Sequence, residues 1–459
     1  MLKRWPNLRE VLFLLFPMVL TMTLELSIGL VDTLMLGRYD AYHLAAVGLA
    51  SSLWLPIGCF LIGMSFGLTP LITRHLHGKQ IRLVNIYMSQ AVGVCFFLGL
   101  AAILLVAFVA PLVVPYMATE QVTREVTIGY LWLISPVIPM LGMMTAYKNL
   151  YESAGRPHFP MLVAFISLLL NIFFNYVLIF GNFGFPEMGA EGAAIASSLS
   201  VWLSVLYFFI YDRFINKRPL FTKLVLPYVR KCGLLLSVGV PAGFAFSFEV
   251  ALFSSLMWLI SSFGDYALGA GQIIMSYTSI LFTPMMAMSA VTAIVIAKAL
   301  ANEGVNGVRQ RMKVIVGLGM GYFFLCFTIT QVFNDEIPFL YTANSEVAIM
   351  AANILVVTAF YQFSDVLQTV FTGALRGFRD TRFSMIAFGV SLFGLSMPLG
   401  YWLSHYSPWA DTIGVLGFYM GLFAGLTLLS ALLILRFRFV YKRAQTRLIT
   451  KENNAVAAA

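Results

Sequence analysis

The chain contains twelve apolar stretches, each long enough to cross a lipid bilayer as a helix of about 20 residues. Backbone groups in a bilayer must be hydrogen-bonded within the protein, so stretches of this length indicate helices. Composition agrees: 60% of the 459 residues are hydrophobic and 11% are charged, which excludes a soluble globular protein. The predicted spans are residues 10–37, 45–73, 83–115, 126–147, 159–181, 190–211, 233–262, 268–297, 314–333, 347–371, 383–403 and 413–435.

Basic residues are concentrated in the loops on one side of the membrane. Twelve spans put both termini on one side, and of the 29 Lys and Arg only Arg38 and Arg124 fall in the loops of the opposite side. Basic loops stay in the cytoplasm, so we expect a multi-pass protein of the cell inner membrane with both termini cytoplasmic. The net charge of +9 is therefore a topology signal, and no nucleic-acid partner is expected.

The chain contains an internal repeat at an offset of 224 residues. For example, Pro17 and Glu25 correspond to Pro241 and Glu249. Six spans per half give both copies the same orientation in the membrane. The predicted fold class is an all-α integral membrane protein with twelve transmembrane helices, arranged as two parallel six-helix repeats around a central cavity. The predicted domains are an N-terminal bundle, a cytoplasmic linker, a C-terminal bundle and a basic cytoplasmic tail, at residues 1–211, 212–232, 233–435 and 436–459.

Four acidic residues lie within the predicted spans, namely Glu25, Asp32, Glu249 and Asp365, and no Lys or Arg lies within a predicted span. A carboxylate in hydrocarbon costs a few kcal/mol at least and persists mainly where it faces protein or a water-filled cavity. Without a basic partner, it can be neutralised by a proton or by a bound cation. Both are what an ion-coupled transporter needs.

Polar residues accompany these acids. Tyr361, Gln362 and Gln368 share the helix face of Asp365, and Asn171 and Asn175 share a face in the fifth span. We expect them to support the carboxylates or to line a substrate cavity.

Structural explanations remain open at this point. A single buried acid can be a hydrogen-bond partner for a neighbouring helix, and paired asparagines can join two helices. Asp32 is also six residues from Arg38, which allows a salt bridge.

Glu25 lies two turns before Asp32 on the same face, about 10 Å away along the helix axis.

Motifs of other protein classes are absent from the sequence. It has no HExxH or GxSxG, and no GxxxxGK[ST] loop to bind a nucleotide phosphate. Its four cysteines have no metal-ligand spacing. We therefore expect neither an enzyme nor a cofactor, and an ion gradient is the remaining source of energy.

Several motifs resemble the multidrug and toxic compound extrusion (MATE) family, in its NorM-like branch. They are Gly29–Gly37, Asn171–Tyr176, Phe180–Gly184, Pro186–Gly189, Phe248–Phe253, Tyr361–Asp365 and Leu375–Thr381. The resemblance implies a monomeric, twelve-helix antiporter that alternates in access and expels amphipathic, mostly cationic drugs and dyes in exchange for Na⁺ or H⁺, with membrane lipid around it.

The resemblance also implies roles for single residues. Asp32 matches the family's proton-linked acid, while Glu249 and Asp365, next to Tyr361, match its cation-binding acids, where Na⁺ is a possible ligand. Glu25 departs from the pattern, because an uncharged polar residue is expected there. A second carboxylate near Asp32 favours proton coupling or an altered stoichiometry.

Two alternatives remain. The first is a flippase for a lipid-linked precursor, which would be expected to line its cavity with Arg or Lys to bind phosphates. The second is a membrane-embedded enzyme, for which no nucleophile–base pair or metal cluster is evident in the sequence.

Overall fold

Long helices account for nearly all of the chain in the computed structural model, which describes residues 6–117, 121–216, 220–221 and 229–458. The helices are α1 Pro6–Tyr39, α2 Ala41–Phe66, α3 Thr69–His77, α4 Ile81–Met117, α5 Gln121–Ile134, α6 Val137–Ser153, α7 His158–Leu178, α8 Ala190–Ile210, α9 Val229–Ile260, α10 Asp265–Asn302, α11 Gly304–Val332, α12 Glu336–Phe339, α13 Ser345–Gly377, α14 Thr381–Phe388, α15 Met397–His405, α16 Ala410–Ile413 and α17 Leu416–Ala458. Within the described ranges there is no β-strand.

The helices match the predicted spans. Eleven helical segments of the described chain are long and apolar enough to cross a membrane. The pair α5 and α6, bent by 41° at a break that contains Pro136, supplies a twelfth when it is counted as one span. Pro interrupts the helical hydrogen-bond ladder, which explains the bend. The prediction of an all-helical membrane protein with twelve spans is confirmed on this count.

Local signals in the sequence explain where some helices begin. Asp40 precedes α2 with an extended backbone, and its side chain accepts hydrogen bonds from the backbone N–H groups of Tyr42 and His43. Asn344 caps α13 in the same way. These side chains satisfy donors that the first helical turn leaves without partners.

The chain forms two compact units, residues 13–247 and residues 1–12 with 248–459. The predicted boundaries follow the sequence repeat and place the division at residues 212–232, whereas packing places it inside α1 and inside α9. The reason is visible for α9, whose residues Gly239 and Gly243 pack against Gly67, which follows α2, and Gly63 of α2. Residues 217–219 and 222–228, nearly half of the predicted linker, lie outside the described part.

In the unit of residues 13–247, α2 packs against α5 and α6, α4 packs against α6, and α7 packs against α8. In the other unit, α13 is the central helix and contacts α10, α11 and α17. Each unit thus places one polar helix face, that of α7 or that of α13, among neighbouring helices. These faces carry the candidate site residues.

Candidate functional site: two carboxylate clusters within the helices

In the unit of residues 13–247, Asp32 of α1 is held by polar side chains of α7 and α8; we call Asp32, Asn171, Asn175 and Ser197 the Asp32 cluster. Asp32 Oδ1 accepts hydrogen bonds from Asn175 at 2.6 Å and from Asn171 at 3.2 Å. Its Oδ2 accepts one from Ser197 at 2.6 Å. Three neutral donors therefore surround a half-buried carboxylate, and its hydrogen bonds come from them and not from the nearby Arg38.

The cluster is ordered by its own contacts. Asn175 donates to Asn171 Oδ1 at 3.2 Å, and Asn171 donates to Ser197 at 3.2 Å. Both asparagines are fully buried, and Asn175 Oδ1 has no hydrogen-bond partner among the described residues. The structure thus brings Asp32, Asn171 and Asn175 together as the sequence predicted. An unpartnered acceptor beside the carboxylate leaves room for one more donor or cation.

Ser197 was not predicted as a site residue. Ser197, Ser200 and Ser204 lie at helical spacing along α8 and are buried. A stripe of small polar residues on one face of an apolar helix was the signal available in the sequence, but serines of this kind also commonly bond back to their own helix. Only the fold distinguishes Ser197, whose hydroxyl reaches Asp32.

In the other unit, Gln368 bridges two acids; we call Glu249, Asp365 and Gln368 the Glu249 cluster. Gln368 Nε2 donates to Asp365 Oδ1 at 2.9 Å and to Glu249 Oε1 at 3.2 Å. Asp365 and Gln368 are buried on α13, and Glu249 is half-buried on α9. One amide group therefore holds together two carboxylates that are 116 residues apart in the chain.

Tyr361 and Gln362 lie one turn before Asp365 on α13. Tyr361 is 2% exposed and its hydroxyl interacts with Thr278 and Thr358. Gln362 is 3% exposed, and neither its amide nitrogen nor its amide oxygen has a hydrogen-bond partner among the described residues. An amide buried without partners costs free energy, so this side chain is available to a ligand that supplies both a donor and an acceptor.

Glu25 requires a correction. No basic residue lies within the predicted spans, but α6 continues beyond residue 147 to Ser153 and includes Lys148, which is 5% exposed. Lys148 Nζ lies 2.9 and 2.8 Å from the two carboxylate oxygens of Glu25. Glu25 is therefore paired, and its hydrogen bonds go to α6, whereas those of Asp32 go to α7 and α8.

Other basic residues also lie inside the described helices, and one of them acts on a site residue. Arg376 belongs to α13, and its charge acts on Glu249. The absence of basic residues from the spans, which counted against a lipid-linked precursor as substrate, is therefore not a property of this fold. Lys148 and Arg376 lie in these helices for one reason: α6 and α13 continue beyond the apolar part that hydropathy identifies as the span.

The oxygen atoms of the two clusters are of the kind that bind a hard cation or a proton. Among the residues that the structure describes, no three His, Cys, Asp or Glu side chains converge as a metal site would require. The Glu249 cluster offers two carboxylates and amide oxygens, which are ligands that hard cations take.

An all-helical chain with two internal repeats and a carboxylate cluster in each unit defines a membrane transport protein. The family model MatE matches residues 17–177 and 241–402, and the two matches begin 224 residues apart, as the sequence repeat does. The chain belongs to the MATE family. Since members of this family are transporters, the expectation that the chain is not an enzyme is confirmed.

Curated relatives agree over nearly the full length. The chain is 28% identical over 446 residues to a probable multidrug resistance protein NorM of Bacillus anthracis, covering 96% of this chain and 97% of the relative. It is 29% identical over 437 residues to the multidrug resistance protein NorM of Photobacterium profundum, covering 94% and 95%. A probable NorM of Pasteurella multocida is 30% identical over 448 residues, with 96% of each chain covered.

Solved structures share the fold. An outward-facing multidrug resistance MATE family transporter of the MOP superfamily superposes with a TM-score of 0.85 at 17% identity, covering 96% of this chain and 97% of that one. A eukaryotic MATE transporter superposes with a TM-score of 0.86 at 15% identity, covering 96% and 99%. The predicted fold class is thereby confirmed.

Proposed function

We propose that this protein is a multidrug exporter of the cell inner membrane that exchanges amphipathic, mostly cationic drugs for H⁺ or Na⁺ by alternating access. The observation that carries the proposal is that Asp32, Glu249 and Asp365 receive their hydrogen bonds from neutral amide and hydroxyl groups. A carboxylate that is hydrogen-bonded only to neutral groups keeps its negative charge, which a mobile cation or a proton can neutralise. Proton, sodium and drug cation can then occupy the same acids in turn.

Its relatives support the direction and the breadth of transport. Proteins similar to this chain over at least 94% of its length are named multidrug resistance proteins. The distribution of Lys and Arg supports cytoplasmic termini, because all but two of these residues lie in, or directly beside, the predicted loops on the side of the termini. Drug leaving the cytoplasm would move against the entering ion.

The Glu249 cluster is proposed as the cation-coupling site. Glu249 and Asp365 supply negative charge, Gln368 fixes their separation, and Tyr361 and Gln362 add neutral oxygens. Na⁺ is a candidate ligand because it takes hard oxygen donors such as these. The Asp32 cluster is proposed as a proton-accepting site with Asn171 and Asn175 as its positioning residues.

The test is efflux of a fluorescent lipophilic cation from intact cells. We expect Asp365→Asn and Glu249→Gln to reduce efflux to the level of cells that lack the protein, because each change removes the charge that exchanges ions but keeps the side-chain size. Glu336→Gln, at an exposed acid, is the matched control and should leave efflux unchanged. Efflux at the wild-type rate from both site variants, at equal amounts of folded protein, would rule these acids out of the mechanism.

A further inference from the structure

Besides the Asp32 cluster, the unit of residues 13–247 contains a cluster of three charged side chains. We call Glu25, Lys148 and Glu152 the Lys148 cluster. Lys148 directs its ammonium group to both oxygens of Glu25, at 2.9 and 2.8 Å. Glu152 lies one turn further along α6 and is 1% exposed. Residues four apart share a helix face, and the charges of Glu152 and Lys148 act on each other.

The charges of this cluster do not balance. It contains two carboxyl groups and one ammonium group, and Lys148 and Glu152 are both buried. Lys148 forms its hydrogen bonds with Glu25, whereas Glu152 Oε1 is buried without a hydrogen-bond partner in the described part of the chain. An ionised carboxylate with a bare buried oxygen is costly, and one added proton makes the cluster neutral.

Neighbouring polar groups are engaged elsewhere. On α6, Tyr151 donates to Asp212 at 2.8 Å and Asn149 donates to the backbone of Ser65. Asp212 also accepts hydrogen bonds from the backbone N–H groups of residues 220 and 221.

Polar groups of α3 that lie near the end of α6 are also engaged. On α3, Thr73 donates to Ser153, and His77 bonds to the backbone of Thr73. Among the described residues, Lys148 and Glu25 are the charged groups that act on Glu152, and Glu25 and Glu152 are those that act on Lys148. In this part of the chain, the ionisation of each group in the cluster therefore depends on the other two.

We propose that the Lys148 cluster is a proton-binding site, in which Glu152 holds a proton while Glu25 and Lys148 stay ionised. A proton from water adds to the Glu152 carboxylate, an O–H bond forms, and no other bond changes. The site is separate from the Asp32 cluster, and only its use in transport rests on the proposed function. The proposal gives Glu25 a role. Because Lys148 is paired with the Glu25 carboxylate, the charge of Glu152 must be neutralised by a proton.

The proposal makes a distinctive prediction for Glu25→Gln. This change frees Lys148 to neutralise Glu152, so Glu152 should lose its proton although it is not itself altered. Removing both members of the ion pair, in Glu25→Gln/Lys148→Met, should return the proton to Glu152, because no cation then remains beside it. A merely structural ion pair would not move a proton on a third residue.

The experiment is infrared spectroscopy of the purified full-length protein in nanodiscs at neutral pH, following the C=O stretch of protonated carboxyl groups. We expect Glu152→Gln to remove one band, Glu25→Gln to remove the same band, and the double variant to restore it. Glu336→Gln should change nothing. Loss of the band in Glu152→Gln but not in Glu25→Gln, or no band that depends on Glu152, would overturn the proposal.

Two further measurements keep the outcome clear. Circular dichroism and a monodisperse elution profile show that each variant is folded, and the double variant restores the charge balance if Glu25→Gln alone proves unstable. Drug efflux by the same variants is measured separately. A band that behaves as expected in a protein that exports no drug would support the site and refute the proposed function.

Discussion

Two acids on the same face of α1 have different surroundings. Asp32 accepts hydrogen bonds from two amides and a hydroxyl group, and Glu25 accepts them from the ammonium group of Lys148. A carboxylate with neutral donors can bind and release a cation, whereas one with a fixed ammonium is already neutralised. The difference supports the proposed ion exchange at Asp32 and places Glu25 in an ion pair.

Substitution of Asp32 should separate proton coupling from folding. In proteoliposomes, we expect Asp32→Asn to reduce ΔpH-driven transport of a lipophilic cation to the rate of protein-free liposomes, because the exchangeable carboxyl group is gone. Ser197→Ala removes one of three donors to the carboxylate at a cost of about 1.5–3 kcal/mol, so it should slow transport without abolishing it. If Asp32→Asn still follows an imposed ΔpH as the wild type does, proton coupling does not pass through this residue.

Glu303, in the connection between α10 and α11, should make stability depend on pH. Arg311 donates hydrogen bonds of 2.6 and 2.7 Å to its two oxygens, and these lower the pKa of the Glu303 carboxyl group. A carboxyl group whose pKa is depressed by folding stabilises the protein above its unfolded pKa, and the contribution disappears as pH falls through the folded pKa. Glu303 is 47% exposed, so solvent and salt keep the effect small.

We therefore expect Glu303→Gln to lower the Tm at neutral pH by a small amount that shrinks at high salt and vanishes in acid. Thermal unfolding in detergent across a pH series measures this difference from the wild type. Glu336→Gln is again the control, because that side chain is exposed. A Tm difference that grew on acidification would contradict the assigned sign.

Among the helices, α2 and α9 approach each other closely through glycines. A Cβ atom on Gly67 would lie 2.5 Å from Gly239 Cα, and one on Gly63 would lie 2.9 Å from Gly243 Cα. Small residues four apart on both helices permit this contact between backbones, which stabilises helix pairs in membranes. The contact holds the first half of α9 in the unit of residues 13–247.

Gly67→Ala should therefore destabilise the protein, by about 1–3 kcal/mol as for other overpacked sites, because the added methyl group meets backbone atoms that cannot move aside. Gly93→Ala in α4 is the matched control, since nothing lies within 4 Å of the added atom. Thermal unfolding of both variants in detergent gives the comparison. Equal Tm values for Gly67→Ala and Gly93→Ala would show that the two helices are not packed in this way.

At the scale of the whole molecule, the chain repeats in sequence and divides in packing at different places. The family model matches begin at residues 17 and 241, whereas the compact units meet inside α1 and α9. The repeat reflects the similarity of the two halves in sequence. The compact units reflect which helices pack together, and the boundary between them falls inside α9.

The number of spans predicts the side of each terminus. If the bent pair α5 and α6 crosses the membrane as one span, twelve crossings put both termini on the same side. We expect tags at the two ends to be equally protected from an impermeant protease in intact cells and equally cleaved in inverted vesicles. Opposite accessibility of the two tags would mean that this pair does not cross the membrane.

The sequence by itself determined the helical class, the number of spans, the repeat and which acids lie within the predicted spans, because bilayer length, hydropathy and the cost of a carboxylate in lipid are local properties. Asp32, Asn171 and Asn175, as well as Asp365 and Gln368, could be paired from their spacing within helices and the family motifs. Tertiary structure alone decided that Ser197 reaches Asp32, that Gln368 joins Asp365 to Glu249, and that Lys148 neutralises Glu25. These contacts join residues far apart in the chain, and which face of one helix meets which face of another depends on the packing of all of them.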